Sequence, residues 1–229
     1  VARLDWTAIA ESLDDCGWAK TAPVLTADEC AALIRLYDDE SLFRSRVDMA
    51  RHRFGVGEYK YFAAPLPPLV DELRAHAYPP LATIANRWER ALASGRRYPE
   101  RLDGFLALCG RAGQTEPTPL LLRYEAGGYN CLHQDLYGDI AFPLQLTVFL
   151  SQPGVDYDGG EFLLVEQRPR AQSIGHAITT ARGEMVVFAT RHRPVQGRRG
   201  YFRTTMRHGV SRVTRGSRYT LGVIFHNAA

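Results

Sequence analysis

Leu121-Leu-Arg-Tyr-Glu-Ala-Gly-Gly-Tyr-Asn-Cys-Leu-His-Gln-Asp135 reads as strand, turn and strand, and it closes on His133-x-Asp135. Alternation along a strand puts residues i and i+2 on one face, so this imidazole and carboxylate are expected to reach one point. Two ligands do not make a metal site. The third is expected from far along the chain, and His208 is the best candidate. Two neutral imidazoles and one carboxylate, with the remaining positions open, form a donor set suited to non-haem Fe(II).

From Thr118 onward, short apolar runs are punctuated by Gly, Pro and Asp. Leu120–Tyr124, Cys131–Asp135, Leu144–Leu150, Glu161–Val165, Gln172–Thr179, Met185–Ala189, Thr204–Gly209 and Arg218–His226 are expected as eight strands. Strands at this spacing suggest a double-stranded β-helix, or jelly roll. In that topology the second and seventh strands face one another across a mouth, which would gather His133, Asp135 and His208. On the third strand, Gln145, Thr147 and Phe149 share one face and Leu144, Leu146, Val148 and Leu150 the other. The first, mixed set is expected to point inward.

The preceding part reads as helical support. Asp5 caps a helix stopped at Gly17, and Thr26-Ala-Asp-Glu29 is a capping box for a second. Phe43–Met49 and Glu58–Ala63 read as strands around a Gly55-Val-Gly57 turn, and Leu69–His76, Pro80–Ala93 and Tyr98–Cys109 as helices. The chain is therefore expected to be mainly β with helical support. Residues 1–117 would be an N-terminal helical region carrying a candidate substrate-lid hairpin, and 118–229 the jelly-roll core, in one compact domain.

Four scattered cysteines without a C-x-x-C pair argue against a zinc site or a disulfide framework. There is no apolar run long enough to span a bilayer and no leader-like apolar region at Val1–Trp6, so no membrane partner and a cytoplasmic location are expected. The net charge of +3 conceals an asymmetry: from Met185 onward there are nine arginines and no Asp, Glu or Lys, against 19 basic and 25 acidic residues before it. A basic C-terminal half suggests an anionic partner.

The ordered set Tyr124, Gly127, His133, Asp135, then Gly159-Gly160-Glu161, Gly183-Glu184-x-x-x-Phe188, and His208 followed ten residues later by Arg218 resembles the 2-oxoglutarate/Fe(II)-dependent dioxygenase superfamily, with the spacing of its prolyl-hydroxylase branch. The resemblance runs from about Pro119 to His226. It implies Fe(II) on His133, Asp135 and His208, with 2-oxoglutarate and dioxygen as co-substrates and Arg218 as the 2-oxoglutarate anchor. Thr220 shares a face with Arg218, and Tyr124 offers a further hydroxyl. Gln145, Thr147 and Phe149 complete the expected co-substrate wall; Phe149 lacks the hydroxyl of the tyrosine often found there in prolyl hydroxylases. His176, His192, Asp139 and Arg215 compete for these roles without meeting the spacing, and His226 reads as a rim residue.

The resemblance implies hydroxylation of a C–H bond coupled to decarboxylation of 2-oxoglutarate to succinate. On the substrate, the residues leave alternatives open. The Tyr-x-x-Gly…Leu-His-Gln-Asp run and Arg218-Tyr-Thr-Leu221 also resemble alkylated-nucleic-acid repair oxygenases, and the chain is similar to a bacterial family assigned to nucleic-acid modification. Arg44, Arg46, Tyr59 and Tyr61, with Arg203 farther on, interleave cations and rings as a surface binding single-stranded or damaged nucleic acid would. Against this, the second arginine of the repair enzymes falls on Ile224. The ten-residue His-to-Arg spacing favours a peptide or small molecule instead, and a catalytically inactive jelly-roll binding module is a third reading.

Overall fold

The computed structural model describes residues 4–229, so the first three residues of the stretch read for a leader lie outside it. Helix α1 (Trp6–Cys16) is capped by Asp5, whose Oδ1 accepts from the Thr7 and Ala8 amides at 3.1 and 3.0 Å. It ends at Gly17, left-handed at φ 81°, and β1 (Trp18–Lys20) follows. The capping box of α2 (Ala27–Arg35) forms as read, with Glu29 N donating to Thr26 Oγ1 and Thr26 N to Glu29 Oε2. Next come β2 (Phe43–Asp48), β3 (Gly55–Val56) and β4 (Glu58–Phe62). The expected Gly55-Val-Gly57 turn is instead a short strand paired with a different sheet from its neighbours.

The two expected helices around Pro79-Pro80 are one, α3 (Pro68–Ala91). Val70, Leu73, Ala77, Tyr78, Leu81, Ile84, Ala85 and Trp88 form one buried stripe that continues through the prolines. Burying a large apolar side chain is worth about 1.5–3 kcal/mol, and an interior proline costs about 3 kcal/mol. The stripe therefore outweighs both breaks. Helix α4 (Leu102–Arg111) starts later than expected, the chain from Tyr98 through Pro99 being irregular.

The remaining strands are β5 (Leu120–Glu125), β6 (Tyr129–His133), β7 (Leu144–Phe149), β8 (Tyr157–Gly159), β9 (Phe162–Gln167), β10 (Ile174–Ile178), β11 (Met185–Ala189), β12 (His192–Gly197), β13 (Gly200–Val210) and β14 (Val213–Val223). They form two antiparallel sheets. The larger has order β1-β11-β7-β14-β5-β4-β2, with β8 on β14, and the smaller β10-β9-β13-β6-β3, with β12 on β13. Strands from before residue 118 thus extend both sheets. The stretch Arg191–Phe202, between two of the expected strands, is largely the β12–β13 hairpin.

Period-two alternation on β7 places the core. Leu144, Leu146 and Val148 join Leu121, Val187 and Leu221 in packing against the helices, while Phe149 meets Phe162, Leu164, Val186 and Phe188 between the sheets. The helices seal one face of the larger sheet. Its other face is free to line a cavity.

Candidate metal centre and co-substrate cavity

Strands β6 and β13 are antiparallel neighbours, and His133 and His208 are register partners. Directly opposed side chains project to the same face, and the two imidazole centroids stand 4.2 Å apart. Strand β6 ends at His133, so Asp135 arrives by a route other than strand alternation. Gln134 Nε2 donates to the Met206 carbonyl at 2.7 Å, fastening the chain to β13 beyond the strand end. The Tyr137 hydroxyl donates to Asp135 Oδ1 at 2.8 Å, and Tyr61 donates to Tyr137 at 2.9 Å. Asp135 Oδ1 then lies 3.5 Å from His133 Nε2, and Oδ2 3.2 Å from His208 Nε2. One ligand atom from each residue falls within 4.8 Å of the others.

The electrostatics suit a divalent cation. Burial would push the Asp135 carboxyl up, but the two imidazoles hold it well below the usual carboxylate range. Burial, with help from His133, keeps the His208 imidazole below its ordinary value and hence neutral. At His133 burial acts in the same sense, but Asp135 outweighs it and raises the group. His133 Nδ1 contacts the Cys131 carbonyl at 2.8 Å, which assigns the proton to Nδ1 and leaves Nε2 with its lone pair.

A cavity of about 340 Å³ opens beside these three residues. Arg218, Thr220, Tyr124, Gln145 and Thr147 all line it. Arg218 lies on β14 opposite Tyr124 on β5, is 1% exposed, and has no hydrogen-bond partner at Nε, Nη1 or Nη2. Three rings stand around it, Phe149, Tyr124 and Tyr157, with centroids 5.3, 5.5 and 5.9 Å from its Cζ. A buried guanidinium without an anion costs several kcal/mol. The cavity thus holds an unmet demand for a carboxylate, and Gln145 Nε2, also buried and unpartnered, adds a donor. Gly160, at φ 64°, lets Arg218 lie there, since a Cβ at that position would stand 2.9 Å from Arg218 Cδ. Phe149 packs on the guanidinium and supplies no hydroxyl.

The sequence-read substrate residues separate. Tyr59 and Tyr61 line the cavity wall. Arg44 donates to the Pro117 carbonyl and lies over the Tyr61 ring at 4.8 Å, outside the lining. Arg46 is held by Glu58, and Arg203 belongs to a second cavity. At the mouth are Arg53, Phe54 and Leu132, with Tyr137 inside. Of the competing groups, His176 packs edge-on against Trp18 and Arg215 pairs with Asp158. Ile224 is buried beside Tyr61 and Leu120, and His226 is fully buried rather than on the rim. No helix among the described residues is long and apolar enough to cross a membrane.

Comparison with known proteins agrees with this geometry. Residues 57–228 match the model of a family named Oxygenase-NA and described as "Oxygenase, catalysing oxidative methylation of damaged DNA". An uncharacterized protein of Mycobacterium tuberculosis is 49% identical over 168 residues, 73% of this chain and 72% of its own length. Among solved structures, a Pseudomonas putida prolyl-4-hydroxylase aligns with TM-score 0.58 at 19% identity, covering 98% of this chain and 100% of that one. An oxidoreductase of the 2OG-Fe(II) oxygenase family from Burkholderia pseudomallei aligns with TM-score 0.52 at 14% identity, covering 99% and 94%. At these identities the likeness is one of fold.

Proposed function

This chain belongs to the oxygenase family whose model it matches, and from that premise we propose that it oxidises an alkyl C–H bond on a damaged nucleic-acid base, with Fe(II) held by His133, Asp135 and His208 and 2-oxoglutarate anchored by Arg218. It is an Fe(II)- and 2-oxoglutarate-dependent dioxygenase. The observation that carries the residue assignment is the fully buried, unpartnered Arg218 in the same cavity as the two histidines and the aspartate.

His133 and His208 as neutral imidazoles and Asp135 as a carboxylate would hold Fe(II), and the cavity beside them would give the co-substrates access to it. Fe(II) there supplies activation of dioxygen coupled to loss of carbon dioxide from 2-oxoglutarate, which becomes succinate. The chain's part is positioning. Arg218 offers a planar fork to the distal carboxylate, Thr220 and Tyr124 offer hydroxyls beside it, and Tyr137 fixes Asp135 so that Oδ2 remains for the ion. The rings of Tyr59 and Tyr61, with Phe54 at the mouth, suit stacking of a planar base next to the reacting atoms.

One oxygen atom enters the C–H bond and the other enters succinate. On an N-methyl group this yields a carbinolamine, which breaks down to the free nitrogen and formaldehyde. The test is to incubate the Fe(II)-loaded protein with 2-oxoglutarate, air and single-stranded oligonucleotides carrying methylated bases, with proline-containing peptides in parallel. Formaldehyde and succinate formed one for one with an oligonucleotide are expected. Coupled succinate formation with peptides alone would move the substrate to protein.

A further inference from the structure

A second cavity, of about 200 Å³, lies on the other side of the stretch that carries Asp135: Asp135 and Tyr137 line the metal cavity, whereas Leu136 lines this one. Three guanidiniums border it, those of Arg96, Arg191 and Arg203. Arg193, two residues past Arg191, pairs with Glu166, but among the described residues Arg96, Arg191 and Arg203 form no ion pair. Glu89 is the acidic residue of the lining, and it accepts from Ser94 and Tyr98. The border therefore carries an excess of positive charge.

The interior of this cavity is polar and incomplete. Thr190 is 1% exposed, lines it, and has no partner for Oγ1. His192 Nδ1 is also buried, unpartnered and part of the same lining. Buried polar atoms are nearly always satisfied, so two orphans on residues of one lining, bordered by three arginines that form no ion pair among the described residues, point to a missing polar ligand. Its chemistry is set by the donors: an oxyanion that can take several N–H and O–H bonds and forked guanidinium contacts at once.

We propose that this cavity is a phosphate-binding site, recruiting a backbone phosphodiester of the substrate strand some distance from the reacting base. The assignment to a phosphodiester rests on the nucleic-acid reading of the reaction; the oxyanion site itself does not. Arg203 and His208 lie five residues apart on β13 and so on opposite faces of it, about 16 Å along the strand at a rise of about 3.3 Å per residue. The Asp135-Leu136 stretch separates the two cavities, and a substrate strand of several nucleotides passing over it would reach both.

The experiment compares the wild type with Arg191→Gln/Arg203→Gln and with Thr190→Val, each checked for folding by its melting temperature. One arm follows broadening of the inorganic phosphate ³¹P resonance; the other measures single-stranded oligonucleotide affinity across salt concentrations. The double arginine variant is expected to abolish phosphate broadening, to weaken the oligonucleotide by ten-fold or more at low salt, and to flatten the log–log salt slope by about 0.7, the value for one lost phosphate contact on a single strand. Thr190→Val is expected to weaken both ligands with the salt slope unchanged, because it removes a neutral donor. Phosphate broadening that is absent from the wild type, or equal in the folded variants, would overturn the site. Phosphate bound and lost in the variants, with no oligonucleotide bound by the wild type, would keep the site with free phosphate as its ligand and overturn the nucleic-acid reading. Oligonucleotide bound equally by all proteins would leave that reading standing and remove the site.

Discussion

Replacing Arg218 with methionine separates a ligand-binding arginine from a structural one, because the two roles predict opposite effects on the ligand-free protein. The guanidinium is 1% exposed and none of its nitrogens has a partner. A structural arginine with buried carboxylate partners would cost about 3–5 kcal/mol when removed. Here there is no carboxylate to strand. The variant loses contacts with three rings, worth about 0.5–2 kcal/mol each, and gains relief from an uncompensated buried charge worth several kcal/mol. The ligand-free melting temperature is therefore expected to stay within a few degrees of wild type or to rise. Binding should behave in the reverse way. Two charge-assisted hydrogen bonds at about 1.5–3 kcal/mol each amount to a loss of about 3–6 kcal/mol, or roughly 10²–10⁴ in 2-oxoglutarate affinity. The assay is thermal melting without oxygen, with Mn(II) in place of iron, across a range of 2-oxoglutarate concentrations. At 100 times Kd the wild type gains about 2.7 kcal/mol, a rise of about 5–10 °C for a chain of this size, and the variant gains none at the same concentration. A ligand-free variant melting more than 10 °C lower, or one retaining the 2-oxoglutarate shift, would refute the reasoning.

Three further outcomes are expected. Gly160→Ala places a Cβ 2.9 Å from both Arg218 Cδ and Val213 Cγ2 at a φ of 64°; left-handed backbone alone costs about 1–2 kcal/mol, and melting together with 2-oxoglutarate titration should show that loss and an affinity reduced ten-fold or more. Tyr137→Phe removes the donor to Asp135 Oδ1 and should lower metal affinity about 10–100-fold in an anaerobic Co(II) titration; unchanged affinity would mean that Asp135 needs no such support. Burial lowers His226 from an ordinary value of 6.5 to about 4, and its Nδ1 accepts from the Phe142 amide. Because the folded value is depressed, the unfolded chain takes up the proton first, so the stabilisation is complete above pH 6.5 and is lost progressively down to about pH 4. The shift corresponds to about 3 kcal/mol, to be read as the difference between wild type and His226→Phe in denaturant unfolding at pH 7 and pH 4.

Much of the centre was legible because its signals are local. His133 meets His208 across the β6–β13 pairing, and Arg218, ten residues past His208, lines the same cavity. Alternation on β7 separated Gln145 and Thr147 from Leu144 and Leu146, and the cavity and the helix-facing core divide along the same line. What failed depended on tertiary context. Pro79-Pro80 signalled a break that the buried stripe of α3 overrides, and Pro194 hid β12, whose partner β13 runs farther than its apolar pattern suggests. Asp135 was assigned to the right cluster by a strand argument that does not apply, since the side chains of Gln134 and Tyr137 bring it back. The interleaved arginines Arg44 and Arg46 resembled a binding surface, yet Arg44 meets a carbonyl and a ring and Arg46 pairs with Glu58. Charge patterns in sequence do not show which cations are already paired.

The most direct test of the account is succinate production from 2-oxoglutarate by anaerobically Fe(II)-loaded protein once oxygen is admitted, since uncoupled turnover needs no substrate. Wild type should form succinate, and His208→Ala, Asp135→Ala and Arg218→Ala should each reduce it to background while remaining folded. A wild type that binds no iron and forms no succinate, or an Asp135→Ala or His208→Ala variant that turns over like wild type, would contradict it.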